Sequence, residues 1–108
     1  MVGLLREDRT TAFQKTEMLL RNLTIFKKVT DQKTTKMLVE KTEKALEEIK
    51  DDIYYDIIPA IYFDNRTRED IAEQFNTSTK TITRNKNRLI NMLKTRLFSD
   101  EVIFELFL

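Results

Sequence analysis

Apolar side chains recur along most of this chain at three- and four-residue steps, and short polar stretches cut the pattern into helix-sized pieces. Over residues 8–28, Ala12, Phe13, Leu19, Leu20, Leu23 and Phe26 follow that spacing, which predicts an amphipathic helix. Val29-Thr30-Asp31-Gln32 interrupts it, with Thr30 or Asp31 the expected cap of the next helix. Residues 33–50 then place Met37, Leu38, Ala45, Leu46 and Ile49 on one face. Lys41, Glu43, Lys44, Glu47 and Glu48 lie on the other. Two such helices joined by a short loop predict an antiparallel hairpin.

Residues 53–63 are apolar on nearly every side, so periodicity alone does not separate a buried strand from a buried helix. Pro59 argues against a central strand and for a helix with the proline in its first turn, or one bent by it. After the polar break Asp64-Asn65-Arg66, Thr67 and Asp70 have the spacing of a capping box. Ile71, Ala72 and Phe75 give a short helix over 68–75. Asn76-Thr77 ends it, because asparagine tolerates the left-handed backbone that terminates helices. Ser78 is the expected N-cap of a longer helix that buries Ile82, Leu89, Leu93 and Leu97 and runs to about Phe98. The fold class expected is all-α: an N-terminal helical hairpin (1–50), a helix-turn-helix unit (51–98) and a short apolar C-terminal helix (99–108).

Composition narrows the chemistry. In 108 residues there is one glycine and one proline, too few for the repeated turns of β-sandwiches or phosphate-cradling loops. Cysteine, histidine and tryptophan are absent, which excludes disulfides, thiol and imidazole catalysis and zinc-finger ligand sets. Asp51, Asp52, Asp56 and Asp64 lack the spacing of a calcium loop and read as helix-start or solvated acids. No enzyme, metal or cofactor is expected. Tyr54, Tyr55, Tyr62 and Phe63 read as packing residues rather than base-stacking ones. No apolar run is long enough to span a bilayer, and Met1–Asp8 lack the basic start and apolar core of a signal peptide. The expected location is the cytoplasm, without membrane contact.

Charge changes the picture more than composition does. The net charge is +1, yet residues 78–97 hold Lys80, Arg84, Lys86, Arg88, Lys94 and Arg96 and no acid, while the segments 51–65 and 98–108 hold acids and no base. A positive helix between negative flanks is the pattern of an element that meets phosphates. With Ile82, Leu89 and Leu93 inward, helical geometry sends Thr79, Lys80, Thr83, Arg84 and Asn87 outward. Arginine bridges guanine and asparagine bridges adenine in a major groove. Lys80, Thr83, Arg84 and Asn87 are therefore the expected base readers, and Ser78, Thr79, Lys86 and Arg88 the expected phosphate contacts.

The run from Tyr62-Phe63 through Ile71-Ala72 and Asn76-Thr77-Ser78 to Thr81-Ile82-Thr83-Arg84 resembles the promoter-reading C-terminal domain of sigma factors, a likeness that covers about residues 53–95. Including Tyr54-Tyr55, Ile57-Ile58-Pro59 and the helical N-terminal half, the chain is similar to ArpU-type transcriptional regulators of Gram-positive phages and prophages. It departs from the sigma-like pattern at Asn76, where glycine is usual, and at Thr77, where an apolar residue is usual. The resemblance implies sequence-specific binding of double-stranded DNA to control phage genes, late genes among them.

Two rival expectations stand beside it. One is a phage DNA-packaging, small-terminase-like module that recognises its site within a ring. The other is an adaptor that binds RNA polymerase or another protein without DNA. The greasy run Val102–Leu108 and the 8–50 hairpin are both candidate interfaces, the latter also for RNA polymerase. A two-fold homodimer would set two recognition helices roughly 34 Å apart, one turn of the duplex.

Overall fold

The computed structural model describes residues 11–29 and 31–99. They form five helices: α1 (Ala12–Lys28), α2 (Lys33–Glu48), α3 (Ile57–Tyr62), α4 (Arg68–Gln74) and α5 (Thr79–Leu97). Among the described residues there is no strand. The expected apolar helix over 99–108 lies outside them, apart from Ser99.

α1 begins at a reciprocal cap. The Thr11 hydroxyl accepts from the Gln14 amide at 3.1 Å, and the Gln14 side chain accepts from the Thr11 amide at 3.0 Å. Two of the amides left without partners at a helix start are thereby satisfied, in an arrangement that typically stabilises a helix by about 1 kcal/mol. α2 starts differently from expectation. Its N-cap is Gln32, with no side-chain cap bond, rather than Asp31; Thr30 lies outside the described residues. The tertiary face of α2, with Val39, Thr42, Ala45 and Leu46 buried, therefore holds the helix in place of a cap. Lys27 reaches Glu43 at 3.3 Å across the hairpin, an exposed pair of small energetic weight.

The chain leaves α2 through successive tight turns, in which the amides of Asp52, Tyr55 and Ile58 donate to the carbonyls of Ile49, Asp52 and Tyr55. α3 follows with Pro59 in its first turn, where a missing N–H costs nothing. The Thr67 hydroxyl then accepts from the Asp70 amide at 3.1 Å to cap α4.

At the end of α4 the chain reverses on Asn76, whose φ is 52°. The Asn76 amide donates to Glu73 O at 3.1 Å and the Thr77 amide to Ala72 O at 2.9 Å. This pair of bonds is the Schellman closure, with asparagine in the position glycine usually takes. Since a left-handed residue with a side chain costs roughly 1–2 kcal/mol and asparagine recovers part of that, Asn76→Gly should hold or slightly raise the denaturant midpoint. Asn76→Val, branched at Cβ, should lower stability by about 1–2 kcal/mol. Equal midpoints for the glycine and valine variants would contradict this account of the turn.

The Ser78 hydroxyl accepts from the Thr81 amide at 3.2 Å and starts α5. At the far end of α5, Lys41 of α2 donates to Leu97 O at 3.0 Å. It joins Lys94 and Arg96 in supplying positive charge to the last turn.

One core unites the two halves of the chain. Leu19, Leu20 and Leu23 of α1, Val39, Ala45 and Leu46 of α2, and Leu89, Ile90, Leu93 and Leu97 of α5 pack with Ile49, Ile58 and Tyr62. Packing is thus continuous across residue 50, where the sequence suggested a division. A smaller cluster of Ile57, Ala60, Ile71, Ala72 and Ile82 fixes α4 against the start of α5. Tyr54 stacks on Phe75 at its edge, with ring centroids 5.5 Å apart. The aromatic residues of 54–63 are thus packing residues, as their sequence setting suggests.

Thr16 and Thr42 are fully buried. Their hydroxyls donate to the carbonyls of Ala12 and Leu38 within their own helices, at 2.8 and 2.7 Å. Among the described residues no buried side-chain polar atom lacks a partner.

Candidate nucleic-acid interface

α4, a four-residue turn (Phe75–Ser78) and the first half of α5 create the site. Ile82, fully buried, and Ile71 and Ala72 behind it fix which way α5 faces. Thr79, Lys80 and Arg84 are exposed, and Thr83 and Asn87 are half-buried. With Arg68 and Glu69 of α4, Thr79, Lys80, Thr83 and Arg84 line a shallow, open groove of about 510 Å³. Within the described residues, none of Lys80, Thr83, Arg84 or Asn87 makes a side-chain hydrogen bond or ion pair. The expected base readers therefore share one face, uncommitted to the rest of the fold.

Two of the expected phosphate contacts are placed differently. Lys86 is buried, with 7% of its surface exposed. It lies four residues after Ile82 and three before Leu89, on the inward stripe of α5. Its ammonium donates to Glu17 Oε2 of α1 at 3.3 Å and sits 5.7 Å from the centre of the Phe13 ring. Glu17 also accepts from the Tyr62 hydroxyl at 2.5 Å, and Arg21 approaches it at 3.8 Å. Burial pushes the Glu17 carboxyl up, but the bonds from Tyr62 and Lys86 outweigh it and hold the group below its ordinary value. Burial, then the bond to Glu17, pushes the Tyr62 phenol well above its ordinary range.

Arg88 forms a two-pronged pair with Asp52, at 2.7 and 2.9 Å. Asp52 in turn accepts from the Tyr54 amide at 2.9 Å. The Arg88 guanidinium is the main cause that holds the Asp52 carboxyl below its usual value, aided by the Tyr54 amide against the opposing effect of burial. Asp52 is thus a structural partner rather than a solvated helix-start acid, and Arg88 braces α5 on the turn after α2. Neither Lys86 nor Arg88 stands free at the rim of the groove. Thr79 lines the groove, Ser78 caps the start of α5 beside it, and Arg68, in the first turn of α4, adds a cation that sequence spacing alone did not nominate.

Among the described residues no group of His, Cys, Asp or Glu is placed to hold a metal ion. No described helix is long and apolar enough to cross a membrane. The chain is an all-helical protein in which a short helix and a longer one, joined by a tight turn, present a cationic and amide-bearing face. No family model, no curated protein and no solved structure matches it.

Proposed function

We propose that this protein binds double-stranded DNA sequence-specifically and regulates transcription of phage or prophage genes, as the likeness to ArpU-type regulators suggests. In this reading the helix-turn-helix is α4, the Phe75–Ser78 turn and α5. Lys80, Thr83, Arg84 and Asn87 read base edges in the major groove. Ser78, Thr79 and Arg68 hold phosphates beside them, in place of Lys86 and Arg88. The observation that carries the reading is the division of the basic side chains of α5. Those on the inward and turn-facing sides, Lys86 and Arg88, are consumed by ion pairs, whereas Lys80 and Arg84, facing the groove beside α4, have none.

Selection of bound duplexes from a random pool by the full chain, followed by titration against salt, tests this. Enrichment of a defined site is expected. Log affinity should fall with log salt at a slope of about −0.9 per phosphate neutralised by a lysine or arginine, or about −1 to −3 for a single chain with Arg68, Lys80 and Arg84 facing the duplex. A flat salt response, or no enriched site, would overturn the proposal. Co-purification of a protein partner in that case would favour the adaptor reading.

A further inference from the structure

Lys80, Arg84 and Arg88 follow one another at four-residue steps along α5, and all three are exposed. Each step turns the helix by about 40° and advances it by about 6 Å, so Arg88 continues the cationic stripe. Thr79 and Thr83, which line the groove with α4, lie on the other side of Arg84. Arg88 is therefore on the flank away from α4, where the far phosphate wall of a major groove would run.

Arg88 is nevertheless withheld. Its Nη1 and Nη2 donate to the two carboxylate oxygens of Asp52 at 2.7 and 2.9 Å, and its Nε donates to Asn85 Oδ1 at 3.2 Å. All three guanidinium nitrogens are thus engaged within the fold. A carboxylate offers this fork the same two-oxygen edge that a phosphate does. The Asp52 side chain is mostly covered, at 18% exposed against 43% for Arg88, and it also holds the Tyr54 amide. Moving Arg88 to a phosphate would strand that covered carboxylate without a counter-charge, which opposes the exchange. Asp51 and Asp56, exposed in the same segment, add negative charge to this flank.

We propose that Asp52 is an affinity-limiting residue of the DNA-binding face: it occupies Arg88 in the place of a phosphate and keeps one cation of α5 out of the electrostatic contact with the duplex. The inference rests on the DNA-binding reading and adds to it a residue that weakens binding.

Asp52→Asn in the full chain keeps an acceptor for the Tyr54 amide and removes the charge that holds Arg88. Anisotropy titrations on the selected and a scrambled duplex should show tighter binding to both, a gain that a damaged fold does not produce. The slope of log affinity against log salt should steepen by about 0.9, the value of one more neutralised phosphate. The gain over the parent should accordingly shrink by about 3.5-fold between about 50 and about 200 mM salt. Asp51→Asn makes the same charge change one residue away without freeing an arginine, and should steepen the slope far less. Arg88→Ala/Asp52→Asn, which removes the pair together, should return the slope to that of the parent. An Asp52→Asn slope equal to the parent's, or a gain matched by Asp51→Asn, would overturn the inference and leave DNA binding intact. A double variant with a slope about 0.9 shallower than the parent's would overturn it too, by showing that Arg88 already meets a phosphate. A parent that binds neither duplex would overturn the DNA reading itself, and this inference with it.

Discussion

Replacing Glu17 with alanine is expected to lower stability by about 3 kcal/mol, the usual scale for removing one partner of a buried ion pair. For a domain of this size that corresponds to a fall in Tm of more than about 10 °C. The carboxylate holds together α1, α3 and α5, because it accepts from Tyr62 and Lys86 at once. Without it, the Lys86 ammonium stays buried beside Phe13 with nothing to neutralise it. Lys86→Met should therefore recover much of the loss in the Glu17→Ala background, since an apolar side chain of similar length needs no counter-charge. Additive losses in the double variant would show that the two groups are not coupled.

The same contacts set a pH dependence. Glu17 and Asp52 both ionise more readily in the folded chain than in the unfolded one. Their stabilisation is complete above the ordinary carboxylate range and is lost as pH falls through that range and on through their depressed folded values. Glu17→Gln should make Tm less sensitive to acid over that window. An acid limb as steep as that of the unmodified chain would exclude Glu17 as a contributor.

Arg84→Ala is expected to weaken binding to the selected DNA site by about 1–3 kcal/mol, a loss on the order of 5- to 150-fold, and to relax preference at one base pair. Arg84 is exposed, lines the groove beside Arg68 and Lys80, and has no partner in the described fold. Its removal should therefore leave folding stability within about 0.5 kcal/mol of the parent, which separates a binding role from a folding one. Arg88→Ala, by contrast, should act chiefly through the lost pair with Asp52, with little change in which sequence is preferred. Anisotropy titrations on the selected and a scrambled duplex distinguish the two. An Arg84→Ala variant that loses affinity equally on both would have lost a phosphate contact, not a base contact.

The helices and most of their caps were legible in the sequence because they rest on local chemistry. Thr67, Ser78 and Asn76 act within a few residues of themselves, and Pro59 is compatible with only a few positions in a helix. Ile82, Leu89, Leu93 and Leu97 declare their face by spacing alone. What spacing does not reveal is which charged residues are used up inside the molecule. Lys86 and Arg88 look like members of one basic run, but their partners, Glu17 and Asp52, lie 69 and 36 residues away. Lys86 was the more readable of the two, since its position between Ile82 and Leu89 assigns it to the inner stripe. Arg88 depends on where the turn after α2 carries Asp52, and no periodicity encodes that. Gln32 shows the same limit from the other side, because tertiary packing on α2 removed the need for the cap expected nearby.

α4 is bounded by asparagines in the left-handed region, Asn65 and Asn76, each with φ of 52°, and the chain's single glycine is remote from both. Glycine at these corners would let the short helix swivel. Asparagine, with a narrower choice of backbone angles, gives it a stiff mounting instead. The tilt between α4 and the start of α5 is thereby narrowed within the free chain, so that, if the exposed face binds DNA as proposed, little orientational disorder is left to be lost on binding.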